Sequence, residues 1–178
     1  MNKFLKSSFI LLSLIAFSCN SDSKKGKEPE ASKTESDQVE LIVEFKSPVN
    51  DKFNVFYTVA PNVEITGEHL MSRMTYGDNT FQKVVFKFPD SVVPYKIRLD
   101  VGGNQSVENL TIKNISLKYK DKVIDGDNGE FMKLWSPNSS LVYDEQNYVY
   151  KIVAVNGLKS PVFMANVELE KRLKKFRN

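Results

Sequence analysis

The sequence is 178 residues long, 41% hydrophobic and 26% charged, with a formal net charge of +3. Between Val39 and Val167 there are 14 Lys and Arg against 15 Asp and Glu, so the body of the chain lacks the basic footprint that nucleic-acid binding requires. Cys19 is the only cysteine, which excludes an intrachain disulfide and leaves a body of roughly 130 residues to be held by its own hydrophobic core.

Residues 1–18 carry Lys3 and Lys6 ahead of Phe9-Ile10-Leu11-Leu12 and Leu14-Ile15-Ala16-Phe17. A charged start followed by a short apolar run predicts a secretory signal peptide, too short to span a bilayer. The stretch "LIAFSC" that ends it resembles the lipobox of bacterial lipoproteins. That resemblance implies cleavage before Cys19, acylation of its thiol (palmitate-type chains), and a mature protein moored by lipid at the bacterial outer membrane. Each buried CH₂ of such a chain contributes about 0.8 kcal/mol, and more than one chain makes anchoring durable. Residues 20–38, "NSDSKKGKEPEASKTESDQ", hold no large apolar side chain and predict a disordered tether spanning roughly 25 Å on average. The "NSDS" behind the cysteine is similar to the short Ser/Asp signals of surface-exported lipoproteins in Bacteroidota-type bacteria. Surface and periplasmic faces both stay open.

From Val39 onward the apolar residues recur with period two. Val39, Leu41, Val43 and Phe45 come first, then Phe53, Val55, Tyr57 and Val59. Val84, Phe86 and Phe88 follow, and after them Ile97, Leu99 and Val101. Two late runs cover 148–155 and 162–169. Such alternation predicts strands with one face in a core and one in water. Turn-forming clusters separate them: "SPVND", "YGDN", "PDS", "VGGN", "DGDNG", "SPNSS" and "VNG". The expectation is an all-β, antiparallel β-sandwich or jelly roll of about eight to ten strands. It would cover 39–170, followed by a solvated basic tail over 171–178; residues 67–73 are the one place for a turn of helix. Leu110 and Ile112 are in phase with each other, but Ile115, Leu117 and Tyr119 are one residue out of step. Side chains alternate strictly, so a β-bulge near Lys113-Asn114 is needed to bring both sets into the core.

The stretch "VVFKFPDSVVPYKIRLDVGG" followed by "VENLTIKNISLKYK" resembles segments of sugar-associated β-sandwich domains, the carbohydrate-binding-module-like jelly rolls of bacterial polysaccharide-handling proteins. It covers 84–119, and only Arg98, Asp100 and Gly102 go beyond apolar alternation. It implies a sandwich with a carbohydrate-binding role.

Catalytic chemistry is thinly represented. His69 is the sole histidine, so a Ser–His–acid hydrolase would have to combine it with an acid such as Asp78 or Asp100, and no G-x-S-x-G elbow accompanies any serine. The expectation is no enzyme, with a hydrolase as the remote alternative. In "DGDNGE", Asp125, Asp127, Asn128 and Glu130 offer oxygens for a structural Ca²⁺, but Asp-Gly and Asn-Gly are equally the residues of a plain hairpin turn, and the turn is the favoured reading; no other cofactor is expected. "DSV" at 90–92 resembles the O-glycosylation acceptor pattern of some surface proteins of the same bacteria. Sugar recognition needs an aromatic platform and planar polar groups. Trp135 and Tyr76 are the candidate platforms, with Arg98, Asp100, Asn104 and Gln105 as the polar partners; core or rim packing is the favoured reading of Trp135, and a same-face ion pair is the alternative for Arg98 and Asp100. The resulting expectation is a non-catalytic envelope lipoprotein that binds or organises glycans. Its alternative is a structural or accessory lipoprotein that docks onto a protein partner of an envelope transport or secretion complex. The two differ in the surface they require: a polar groove with an aromatic, or a continuous apolar patch.

Overall fold

The computed structural model describes residues 37–177. The segments expected to be a signal peptide and a tether, with Cys19 between them, lie outside the described residues up to residue 36. The described chain holds β1 (Glu40–Ser47), β2 (Asp51–Tyr57), β3 (Leu70–Thr75), β4 (Asp78–Lys87), β5 (Ile97–Asp100), β6 (Asn109–Tyr119), β7 (Lys122–Ile124), β8 (Trp135–Pro137), β9 (Leu141–Asp144), β10 (Val149–Ile152), β11 (Val162–Ala165) and the helix α1 (Val167–Leu173). The strands make two antiparallel sheets. One has the order β4-β1-β6-β10-β9, with β7 also paired to β6; the other has the order β3-β2-β5-β11-β8. This is the all-β sandwich that the alternation predicts.

β1 shows how the pattern becomes structure. Its residues "ELIVEFKS" alternate half-buried and buried along their whole length, so Leu41, Val43 and Phe45 face the core while Glu40, Ile42 and Glu44 form the outer face. Rings close the space between the sheets. Phe45 meets Phe53 at 4.7 Å between centroids, Tyr57 meets Phe88 at 5.0 Å, and Tyr150 meets Phe163 edge-on at 5.1 Å. Each such side chain, fully buried, contributes about 1.5–3 kcal/mol from area removed from water.

The bulge is where the phase argument puts it. Glu44 pairs with Asn114 and Phe45 with Ile112, leaving Lys113 without a partner in the β1–β6 ladder. With that one extra residue, Leu110, Ile112, Ile115 and Leu117 are all buried, while Lys113 turns outward to Glu44 at 2.8 Å. The Gly102-Gly103 turn also has a stated cause. Asp51 accepts the backbone N–H groups of Gly103 at 3.0 Å and Asn104 at 3.1 Å, drawing the loop onto the start of β2. Gly102 sits there at φ +124°, and a Cβ on it would lie 2.1 Å from Asp51 Oδ2, so only glycine fits.

Three sequence expectations are corrected. Residues 67–73 hold no helical turn; Leu70–Thr75 is a strand paired with β2. The late run over 162–169 is a strand only to Ala165. Asn166 then caps a helix, its side chain accepting the N–H groups of Glu168 and Leu169, with Glu168 and Glu170 in the first turn and Lys171 and Arg172 in the last, as helix ends prefer. Finally, 171–178 is not a solvated tail. A 3-10 turn over Lys174–Phe176 continues α1, and Leu169, Leu173 and Phe176 are buried in the core. Arg177 stacks on the Tyr95 ring at 3.9 Å and donates from Nη1 to the Pro94 carbonyl at 2.8 Å.

Candidate functional site

The sandwich has two poles. β1 starts at one of them, where Asp37 pairs with Lys120 at 2.9 Å and α1 packs. It ends at the other, where the loop after β5 meets Asn50 and Asp51. Eight residues of strand separate them, about 26 Å at 3.3 Å per residue.

Near the second pole a groove of about 390 Å³ runs over the outer face of the β4-β1-β6-β10-β9 sheet. The register builds it: Lys46 of β1 lies opposite Thr111 of β6, Asn109 opposite Lys151 of β10, and Val149 opposite Asp144 of β9. Asn79 from β4 and Pro48 from the turn after β1 complete one wall, and Asn147 from the β9–β10 hairpin completes the other. Phe81, two residues beyond Asn79 on β4, is 48% exposed, and its ring lies 5.7 Å from the ammonium groups of both Lys46 and Lys113.

The groove's polar groups divide into two sets. Asp144 is fully engaged: it accepts the Lys151 ammonium at 2.7 Å and the Asn147 side-chain amide at 3.0 Å, together with the N–H groups of Gln146 and Asn147. The Lys151 hydrogen bond, with Asn147 second, holds its carboxyl far below the usual carboxylate range, so it is a fixed anion that locks the hairpin. By contrast, Asn79, Asn109 and Thr111 make no side-chain hydrogen bond among the described residues, and Lys46 has no carboxylate partner among them. Two planar amides, a hydroxyl and an ammonium therefore face one groove with their hydrogen-bonding capacity open to a ligand.

The residues expected from sequence are not brought together. Trp135 is 1% exposed and its indole lies inside the core, with Nε1 unpartnered among the described residues. It cannot be a platform; β8 turns that side chain inward. Tyr76 is 68% exposed and stands at the turn before β4, its carbonyl accepting from Gln82. Asn104 and Gln105 are committed to the loop itself. Asn104 bonds the Asn50 carbonyl and takes the Ser106 N–H and hydroxyl, while Gln105 clamps the backbone of Gly103 and Lys159.

Arg98 and Asp100 lie on the outer face of the other sheet, joined by two bonds of 2.7 Å, with the guanidinium 4.9 Å over the Phe56 ring. Burial pushes the Asp100 carboxyl up from its ordinary value against the pull of Arg98. A hollow of about 510 Å³ beside the pair is lined by Lys96, Asn138, Ser160 and Met164 among others. His69 stacks on Tyr57 at 5.1 Å near the start of β3. Asp78 and Asp100 stand toward the opposite ends of their strands, so no triad forms.

The "DGDNGE" segment is not the hairpin turn expected: it opens a 3-10 stretch over Asp127–Lys133 between β7 and β8, which pair in different sheets, with Asn128 and Gly129 at φ of 53° and 80°. Asp125 Oδ1 accepts from the Asn114 side chain at 3.0 Å and the Asp127 N–H at 3.1 Å, and Glu130 pairs with Lys133. Among the described residues no three His, Cys, Asp or Glu converge on a metal position. Ser91 of "DSV" is exposed in a turn at φ 61°, its N–H donating to the Asp37 carbonyl. No helix among the described residues is long and apolar enough to cross a membrane.

The groove residues were missed by sequence reasoning although their alternation marks them as outward-facing. What joins Asn79, Lys46, Thr111, Asn109 and Lys151 is the order of the strands, which no local pattern encodes. No family model matches the chain, and no curated protein or solved structure matches it either.

Proposed function

We propose that the chain is a non-catalytic glycan-binding lipoprotein, moored at the outer membrane through an acylated Cys19, with the groove on the β4-β1-β6-β10-β9 sheet as its binding surface. The observation that carries this reading is the convergence of the unengaged Asn79, Asn109, Thr111 and Lys46 on one open groove beside the exposed Phe81 ring. Amides and hydroxyls match vicinal sugar hydroxyls in donor and acceptor count, and a ring face covers the apolar face of a pyranose. The groove crosses the strands from β4 to the β9–β10 hairpin on an open sheet face, which suits a chain of sugars better than a small enclosed molecule. Affinity electrophoresis of the full chain through polysaccharide gels tests it. Retention of the wild type should fall roughly ten-fold in binding constant for Asn109→Ala, the loss of one or two ligand hydrogen bonds. Retention on none of a broad panel of polysaccharides sinks the reading, and mass spectrometry showing a free Cys19 thiol in native membranes sinks the anchor.

A second reading, docking onto an envelope protein, is favoured by the other sheet. Leu70, Phe56, Arg98 and Met164 stand in one row across β3-β2-β5-β11, with Leu70 and Met164 exposed. This is an apolar strip with one guanidinium at its centre, a composition that suits protein contacts. Crosslinking in intact membranes separates the two: a stoichiometric protein partner lost in Leu70→Ser and kept in Asn109→Ala supports docking.

A further inference from the structure

We infer that the pole of the sandwich at which the chain enters is a membrane-facing surface that binds anionic lipid headgroups; the inference rests on the lipid-anchor reading for its geometry. A line of contacts ties the entry point to the C-terminal segment. Asp37 pairs with Lys120, the Lys120 ammonium lies 5.1 Å from the Tyr119 ring, and Tyr119 packs on Phe176 at 5.9 Å. Lys122 Nζ donates to the Lys175 carbonyl at 2.5 Å. The burial of Phe176 and the Arg177–Tyr95 stack pin the cationic end of the chain around the place where the tether begins.

Exposed cations gather at this pole on one stretch, the end of α1 and the turn that continues it. Lys171, Lys174 and Lys175 are exposed and form no ion pair among the described residues. The acids nearby are largely engaged: Asp37 with Lys120, Glu168 with Arg172 at 2.9 Å, and Asp125 with Asn114 and Asp127. Asp90, Asp121 and Glu170 form no ion pair among the described residues. Between β7 and α1 these groups frame a hollow of about 610 Å³, its four cations Lys122, Lys171, Arg172 and Lys175 set against the two carboxylates Asp125 and Glu168, with Phe176 at its edge. Val123 stands 60% exposed on its rim. Ammonium groups around a hollow with an exposed apolar tip match a phosphate-bearing headgroup with its acyl chains below. On the lipid-anchor reading, the chain from Cys19 joins the described domain at this pole, beside Asp37, and not at the groove pole.

Val123→Cys in the acylated full chain, labelled with an environment-sensitive dye while the native thiol is blocked by lipid, reads the contact; Tyr76→Cys is the probe for the opposite pole. The vesicles are phosphatidylcholine alone and phosphatidylcholine with phosphatidylglycerol. The Val123 probe should move to a less polar environment on the anionic vesicles only, and revert at high salt, where the screening length falls to about 3 Å. The response should weaken about five-fold for each of Lys171→Gln, Lys174→Gln and Lys175→Gln, with the Tyr76 probe unmoved throughout. A Val123 signal indifferent to lipid charge, in a chain that stays on the vesicles, overturns the inference and leaves the anchor standing. A chain that does not sediment with neutral vesicles overturns the anchor instead. Sedimentation with anionic vesicles then decides: dependence on the three lysines supports the basic pole, and its absence overturns that too.

Discussion

Deleting Lys113 should be tolerated, and deleting Ser116, three residues on in the same strand, should not. The pairing of Glu44 with Asn114 and of Phe45 with Ile112 means that Lys113 is surplus to the ladder. Without it, Leu110, Ile112, Ile115 and Leu117 alternate without interruption, every neighbour on β1 keeps its partner, and no side chain changes face. The loss is the Lys113–Glu44 ion pair, exposed on the lysine side, which is worth under about 1 kcal/mol. Ser116 lies inside the regular part of the ladder, opposite Ile42. Its removal leaves Ile115 and Leu117 adjacent, so one of them must face water. A continuous register for the shortened strand exposes Ile115 and carries Asn114 into the core. Exposing the isoleucine costs about 1.5–3 kcal/mol and burying an amide about 1–3 more, together about 3–6 kcal/mol, a large share of the stability of a domain this size. Urea unfolding followed by circular dichroism measures both. Equal loss of stability in the two deletions would refute the reasoning, because the bend at the bulge, and not the phase of the side chains, would then be what the fold requires.

Gly102→Ala should lose about 2–4 kcal/mol, since the methyl meets Asp51 and the backbone is held at positive φ. Gly103→Ala, with nothing within 4 Å of the added carbon, should lose under about 1 kcal/mol, and thermal melting of the pair checks the contrast. Phe176→Ala should destabilise by about 3–5 kcal/mol, where a solvated tail would give about 0.5 kcal/mol or less; a urea midpoint unchanged from wild type would place that ring outside the core. Trp135→Phe removes a buried N–H that has no partner among the described residues. It should change stability by less than about 1.5 kcal/mol and leave polysaccharide retention as it is, a result read from unfolding and affinity gels on one preparation.

The sandwich was legible because half-buried strands write their burial directly into alternation, and the bulge because a phase slip admits few remedies. The Asn156-Gly157 turn was legible too, its φ values of 52° and 81° being those that this dipeptide favours. The C-terminal helix was misread because "VFMANVELE" alternates well enough to pass for strand. The better signal was Asn166 as a cap with Leu169, Leu173 and Phe176 at helical spacing behind it. Trp135 stayed divided between core and platform for a different reason: a short strand beside a polar loop does not reveal which way it turns its one large ring, and the structure puts it in the core. Arg98 and Asp100 were assigned to the correct face, and the same-face ion pair that their spacing allows is what forms there, with the guanidinium over the Phe56 ring. The groove stayed hidden because its members come from four strands and a hairpin whose lateral order is a long-range property.

The position of β1 between β4 and β6 has a mechanical consequence. Tension carried by the chain ahead of Asp37 enters the domain along the axis of this strand, parallel to its neighbours. The ladders on both sides are then loaded together in shear, instead of being peeled apart one rung after another from a free edge. Failure under load is governed by the rate of crossing the unfolding barrier, and this attachment places the largest number of rungs in parallel against it.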